Sequence, residues 1–331
     1  MIKSLGFVVL VLGFFSCNSE SLKDQLSSTE LPRDSGTDSS ILQQKISLGK
    51  QLFFDARLSL DGSISCASCH NPSLAFCDNL PTSIGIRQGK NARNAPSILN
   101  ARYLKNSMFD ANIPTLEMQA LIPLQEKTEM GHDLKNLIPI LRSIPEYQNQ
   151  AKKVFNRAFD AYVLTRSLGA FERSLLSMNS PYDRFMAGET KALTKSQQLG
   201  MVLFENKLQC ATCHPPPHFT NHNAENNGFT AYIQEDPGRF RVSNDSSDIG
   251  KFKVPSLRNV ALTFPYMHNG KLKTLDDVVD HYSSGGKQHP NKSSVIQPFH
   301  LSKEEKKQLV SFLQALTDTS YLQQYSLYET K

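Results

Sequence analysis

The sequence predicts a mainly α-helical protein in which one small unit occurs twice in tandem. Three observations carry this expectation. The pentapeptide CASCH at residues 66–70 returns as CATCH at 210–214. Each copy follows a phrase of one form, LGKQLFF at 48–54 and LGMVLFE at 199–205, with apolar residues at helical spacing. No run alternates polar and apolar residues as a half-buried strand would.

The chain opens with Lys3 and an apolar run from Leu5 to Phe15. That run is too short to span a bilayer, which needs roughly 20 residues, and reads as a sorting signal. It ends in Gly-Phe-Phe-Ser-Cys, and a small residue before cysteine resembles the lipobox of bacterial lipoproteins. Residues 1–16 are therefore expected to be a lipoprotein-type signal peptide, with Cys17 lipidated. The alternative is an ordinary signal peptide cut nearby; both export the chain to the periplasm or envelope. Residues 17–40, rich in Ser, Asp, Thr and Glu, read as a flexible linker. The two units are expected at 41–190 and 191–331, with a boundary near 188–193.

Capping boxes mark three later helices. Thr194 with Gln197 opens the helix of the second LG phrase. Thr274 with Asp277 opens one whose inward face carries Leu275, Val278, Val279 and Tyr282, turning His281 aside. Ser302 with Glu305 opens a last helix with Leu309, Phe312, Leu313 and Leu316 on one face.

Composition narrows the function classes. At 331 residues and 39% apolar content, two ordinary domains with real cores are affordable in length. A net charge of +5 makes no case for nucleic acid. There is no tryptophan, and four of the six cysteines lie in the two pentapeptides, leaving Cys17 and Cys77.

CxxCH is the attachment signature of c-type haem. Two thiols three positions apart can form thioethers to one porphyrin, and the next histidine can ligate its iron. A redox dithiol or half a zinc site is the alternative for one copy. Two copies in an exported chain, with no further cysteine pair, point to two covalent haems in tandem cytochrome c-like domains. The first is on Cys66, Cys69 and His70, the second on Cys210, Cys213 and His214.

Three further stretches, KNARNAPSILN (90–100), TLEMQALIPLQEKTEMG (115–131) and FKVPSLRNVALTFPYMHNG (252–270), join these motifs in order. Together they resemble the bacterial dihaem cytochrome c peroxidase family, including its MauG-like members, from about residue 45 to 317. The resemblance implies Glu129 as proton shuttle and Gln119 as hydrogen-bonding orienter of peroxide over the N-terminal haem. On residue type alone, they read as a loop carboxylate and a helix-surface amide. It also implies calcium between the domains, with Asn94 as side-chain ligand and the Thr263 and Pro265 carbonyls beside it. Arg258 would suit a haem propionate or an ordinary surface position.

Three positions depart from the family pattern. Ile86 stands where many members carry a histidine that caps the N-terminal haem iron, and isoleucine cannot ligate; His132 is the substitute to consider. Tyr282 stands where the sixth ligand of the C-terminal haem falls, methionine in typical peroxidases and tyrosine in MauG-like members. Met267 is the alternative ligand, and His268 and His281 are further candidates. Phe109 replaces a tryptophan between the haems and is harder to oxidise. His218, His222 and His289 fit no metal template and read as solvated loop residues.

The expected activity is reduction of hydrogen peroxide at the N-terminal haem, with electrons passing through the C-terminal haem. The donor would be a small cytochrome c, a cupredoxin or a quinol. Ile86 and Tyr282 favour a MauG-like oxidase of a protein or organic substrate as the alternative. A non-enzymatic dihaem electron carrier is the second, disfavoured by Ile86, Gln119 and Glu129. Lipid on Cys17 would tie the chain to a membrane, and a homodimer is an open option.

Overall fold

The computed structural model describes residues 39–230 and 236–322. The signal peptide, Cys17 and the linker up to residue 38 lie outside the described residues. Helix α1, Ser39–Phe53, takes in the last two residues of the expected linker. Its turns carry Leu48, Leu52 and Phe53 into the core, so helix formation starts as soon as apolar periodicity allows.

The first unit continues through α2 (Cys66–Cys69), α3 (Leu116–Gln119), α4 (Leu121–Gln125), α5 (Leu134–Arg142), α6 (Pro145–Phe155) and α7 (Ala161–Ser174). The second holds α8 (Pro181–Met186), α9 (Lys195–Val202), α10 (Phe240–Ser243), α11 (Leu275–Ser283) and α12 (Lys303–Gln314). Among the described residues the strand content is one antiparallel pair, β1 (Ala224–Glu225) with β2 (Phe252–Lys253). All three expected capping boxes are formed, on α9, α11 and α12.

The repeated LG phrase has a geometric reason. At Gly49, where α1 crosses α7, a Cβ would fall 1.8 Å from the Ser167 carbonyl oxygen and 2.9 Å from Phe171 Cβ. At Gly200, where α9 crosses α12, it would fall 2.0 Å from the Gln308 carbonyl oxygen and 2.8 Å from Phe312 Cβ. Glycine lets each helix pair close to backbone contact. The aromatic contacts repeat too: Phe53 meets Phe171 at 5.1 Å between ring centroids, and Phe204 meets Phe312 at 5.3 Å. Gly49→Ala must therefore push α1 off α7, and a loss of about 1–3 kcal/mol is expected for such overpacking. Chemical denaturation of the holoprotein measures it; an unchanged midpoint would mean that the crossing relaxes freely.

Two apolar cores form. The first gathers Leu48, Leu52, Phe53, Phe76, Leu164, Leu168 and Phe171; the second gathers Phe204, Phe219, Leu309, Phe312 and Leu316. Tyr182 and Met186 pack with the second core, ahead of the boundary expected near 188–193. Tyr321 and Leu322, from the far end, pack with the first. A buried polar lattice ties these crossings. Asn100 and Ser177 exchange hydrogen bonds at 2.8 and 2.9 Å. Asn259 donates to Ser177 Oγ at 2.8 Å and accepts from the Asp318 N–H at 2.8 Å.

Arg258 departs from both sequence expectations. It is 5% exposed and forks onto Asp183, with Nη1 and Nη2 at 2.9 and 2.8 Å from the two carboxylate oxygens. Its Nε donates to the Pro217 carbonyl at 2.8 Å. The planar fork matches a carboxylate, and Asp183, 75 positions away, is already there. His289 is likewise buried rather than solvated, and its Nδ1 accepts from the Asn291 N–H at 3.0 Å. His218 is partly buried and stacks on Tyr103 at 4.2 Å.

Candidate active site

The CASCH turn and the 115–131 stretch meet at one pocket of about 580 Å³. Cys66, Cys69, His70, Gln119 and Glu129 all line it, with Phe53, Ile98, Met130 and Leu168 among its apolar walls.

Local backbone geometry delivers each group. Thr115 caps α3 by accepting from the Met118 N–H, and α3 ends on Gln119. Its Glu117 takes a two-pronged bond from Arg173 on α7, both prongs 2.7 Å long, which anchors the short helix beside the pocket. After α4 the chain folds back: the N–H groups of Glu129 and Gly131 both donate to the Glu126 carbonyl at 2.9 Å. That turn presents Glu129, 10 positions after Gln119, to the same cavity.

Ile86 seals the turn from outside. Its N–H donates to the Glu129 carbonyl at 2.9 Å, and its Cδ1 would lie 2.6 Å from a Cβ on Gly131. A Cβ on Gly85 would strike the Thr128 carbonyl oxygen at 2.0 Å. The position expected to lack a capping histidine is thus a buried packing residue, 4% exposed. His132 is buried outside the pocket lining, with Nδ1 3.3 Å from the Asp133 carbonyl oxygen.

Burial sets the electrostatics. Desolvation, reinforced by Glu126, pushes the Glu129 pKa up to about 7. Glu172, which nothing in the sequence reading singled out, also lines the pocket, and burial pushes its pKa up to about 8. The available signal was a carboxylate four positions after Leu168 on a helix face otherwise filled by Leu164, Leu168, Phe171 and Leu175.

The two histidines are prepared in the same way. His70 Nδ1 lies 3.1 Å from the Phe76 carbonyl oxygen; His214 Nδ1 lies 3.0 Å from that of Phe219 and 3.1 Å from that of Pro255. A carbonyl can only accept, so Nδ1 carries the proton and Nε2 keeps its lone pair. Burial lowers both pKa values, His214 to about 4, so both rings are neutral. In each turn the histidine N–H returns to the first cysteine carbonyl at 2.9 Å.

The thiols argue against a redox dithiol. Burial pushes Cys66 and Cys210 up to about 12 and Cys69 up to about 11, whereas reactive CxxC pairs have depressed values. Cys66, Cys69, Cys210 and Cys213 are all free of disulfides. Free paired thiols, a neutral histidine with Nε2 available and, around the first copy, an apolar slot are what a covalently attached haem requires.

At the second copy, Tyr282 and Met267 converge on Asn227, whose Nδ2 lies 3.2 Å from the tyrosine oxygen and 3.5 Å from the methionine sulfur. Burial raises the Tyr282 pKa, offset by the Asn227 bond, and Cys213 and Cys210 are close enough to raise it further. Met267 holds a left-handed backbone, φ +73°, unusual for its residue type. His268 stacks on Phe252 at 3.9 Å, and His281 Nε2 lies 3.1 Å from the Asn227 carbonyl oxygen, so both rings are engaged.

Between the units, the Lys253 N–H donates to the Phe109 carbonyl at 2.7 Å. Arg93 lies over both Phe109 and Phe252 and pairs with Asp110 and Asp236 at 2.9 and 2.6 Å. Asn94 joins the same junction: its N–H donates to the His268 carbonyl and its Nδ2 to that of Leu80. Those bonds use the Asn94 donors and leave its Oδ1 as an acceptor. Among the described residues no group of three His, Cys, Asp or Glu side chains could hold a metal ion.

The family described as di-haem cytochrome c peroxidase matches residues 43–191. The methylamine utilization protein MauG of Methylorubrum extorquens is 35% identical over 275 residues, covering 82% of this chain and 78% of that protein. The cytochrome-c peroxidase IdrP2 of Denitromonas iodatirespirans is 36% identical over 301 residues, covering 82% and 81%. A solved MauG-like protein associated with microbial copper homeostasis superposes with a TM-score of 0.78 at 33% identity, covering 85% of this chain and 91% of that one.

Proposed function

We infer, because this chain belongs to the di-haem cytochrome c peroxidase family, that it is an oxidoreductase reducing hydrogen peroxide to water. The carrying observation is the meeting of Gln119 and Glu129 with the CASCH turn in one buried pocket. A haem held there by Cys66, Cys69 and His70 would supply the iron that binds peroxide and passes it electrons. Glu129, poised near neutrality, takes the proton from one peroxide oxygen and returns it to the other. Gln119 orients peroxide by hydrogen bonding. The apolar walls limit water around the reacting oxygens.

The second haem, on Cys210, Cys213 and His214, is the proposed entry port for electrons in the second of two tandem haem domains. Its donor is a small cytochrome c, a cupredoxin or a quinol. Tyr282 is the proposed sixth ligand, with Met267 as the alternative. The Phe109 ring, at the junction where its carbonyl accepts from the Lys253 N–H, is the proposed bridge for electrons between the domains. Calcium at Asn94, Thr263 and Pro265 would use neutral oxygen donors, which suit that cation. Export to the periplasm or envelope, lipid on Cys17 and assembly beyond a monomer belong to the same proposal.

Ile86 favours a second reading, a peroxide-dependent oxidase of a protein or organic substrate. A residue packed against Gly131 and bonded to Glu129 supplies no ligand to release before peroxide enters. Steady-state peroxide consumption with reduced cytochrome c, compared with organic reductants, separates the readings. A holoprotein that consumes peroxide with neither would overturn both.

Tyr282→Phe should shift the low-spin haem spectrum and raise that haem's reduction potential, because it removes a hard anionic donor. Potentiometric titration of the holoprotein is the check. An unchanged spectrum and potential would leave Tyr282 a packing residue and promote Met267.

A further inference from the structure

Glu172 enters the first pocket from α7 and is 7% exposed. Among the described residues no hydrogen bond or ion pair reaches its carboxyl group; burial dominates its surroundings, with charge effects from Arg173 and Glu117. Arg173 is committed to Glu117. Gly169 makes room for that pair, since a Cβ there would lie 2.8 Å from the guanidinium and 3.0 Å from the carboxylate. A partnerless carboxyl group is therefore turned toward the cavity.

The internal duplication provides a second, independent observation. Gly49 meets Ser167 and Phe171 as Gly200 meets Gln308 and Phe312, so the counterpart of Glu172 is Leu313. Leu313 is also 7% exposed and belongs to the second core. The fold thus accepts leucine here. A buried carboxyl group without a partner costs free energy, and such groups in clefts concentrate at functional sites.

Resting on the peroxidase reading, we propose that Glu172 is a second proton-bearing group of the peroxide pocket, delivering one of the two protons that peroxide reduction consumes. Peroxide takes two electrons from the external donor and two protons, its O–O bond breaks, and two waters leave. Glu129 relays a proton that peroxide already carries. Glu172 adds one, and solvent supplies the other and then reprotonates Glu172.

The groups around Glu172 leave two that titrate near neutrality. Arg173 and Glu117 are paired with each other, and α1 contributes Phe53. Cys66 and Cys69 are held neutral by burial, as is His70, so Glu129 and Glu172 remain. Their apparent values belong to the pair. Turnover should rise as Glu129 ionises through about pH 7 and fall as Glu172 loses its proton through about pH 8.

The test compares wild-type holoprotein with Glu172→Gln and Glu172→Leu, the latter copying Leu313. Infrared titration should give a protonated-carboxyl band that disappears near pH 8 in the wild type and is missing from both variants but present in Glu129→Gln. Both variants should also lose the alkaline limb of the pH profile and about 10²-fold in turnover. Persistence of band and limb in both variants overturns the proposal. If neither variant retains haem, the wild-type titration decides: a carboxyl band lost near pH 8, beyond the one lost near pH 7, supports it, and its absence overturns it. A wild-type holoprotein inert to peroxide removes the peroxidase reading instead, while the infrared band still reports whether Glu172 carries the proton.

Discussion

Glu129→Gln is expected to lower peroxide turnover by about 10²–10⁴-fold, the usual contribution of a general acid–base group. The amide nearly preserves shape and can still hydrogen-bond, but it cannot accept a proton near neutral pH. The wild-type carboxyl group is suited to the relay because desolvation and Glu126 bring its pKa to about 7, so both protonation states are populated. Haem content and the second haem's spectrum should not change, since the residue's fixed contacts here are the backbone bonds of its turn and of Ile86. Gln119→Ala should cost less, because water can replace part of its orienting bond. Rapid mixing of each purified variant with peroxide reads the two effects separately. A parental rate in Glu129→Gln would make the residue a bystander and return the electron-carrier reading.

The largest stability effect is expected at Arg258. Removing one member of a buried ion pair leaves an uncompensated charge, at a cost of about 3–5 kcal/mol. Arg258→Met does this to Asp183, whose side chain is 4% exposed. The loss should exceed the contact's own worth because Asp183 also accepts from Ser180 at the start of α8. Adding Asp183→Asn should recover part of it, since the amide oxygen still accepts from Ser180 and carries no charge. Equilibrium denaturation of the single and double variants tests both statements. Equal stability of Arg258→Met and wild type would mean that water or rearrangement satisfies Asp183.

How much was legible in the sequence depended on how far apart the interacting residues lie. The CxxCH turns and the three capping boxes close through partners within a few positions, and those backbone turns and caps form where the spacing places them. The LG phrases are legible as a repeat, but the helices they pack against lie far along the chain. Gln119 and Glu129 could be paired only through their resemblance to a known family; residue type alone favoured a surface amide and a loop carboxylate. Arg258 was misread because its partner lies 75 positions earlier, and no local pattern says which carboxylate a guanidinium will meet. The solvated reading of His289 failed because a polar neighbourhood in sequence does not reveal what the loop packs against.

By itself, then, the sequence determined the helical class, the repeated CxxCH and LG phrases and three capped helix starts, because each rests on covalent spacing or on bonds within one turn of backbone. Tertiary structure alone decided that Ile86 locks onto the Glu129 turn, that Tyr282 and Met267 share Asn227, and that Glu172 faces a cavity without a partner. Those outcomes depend on desolvation and on which distant segments come to lie side by side, quantities that exist only once the chain has folded.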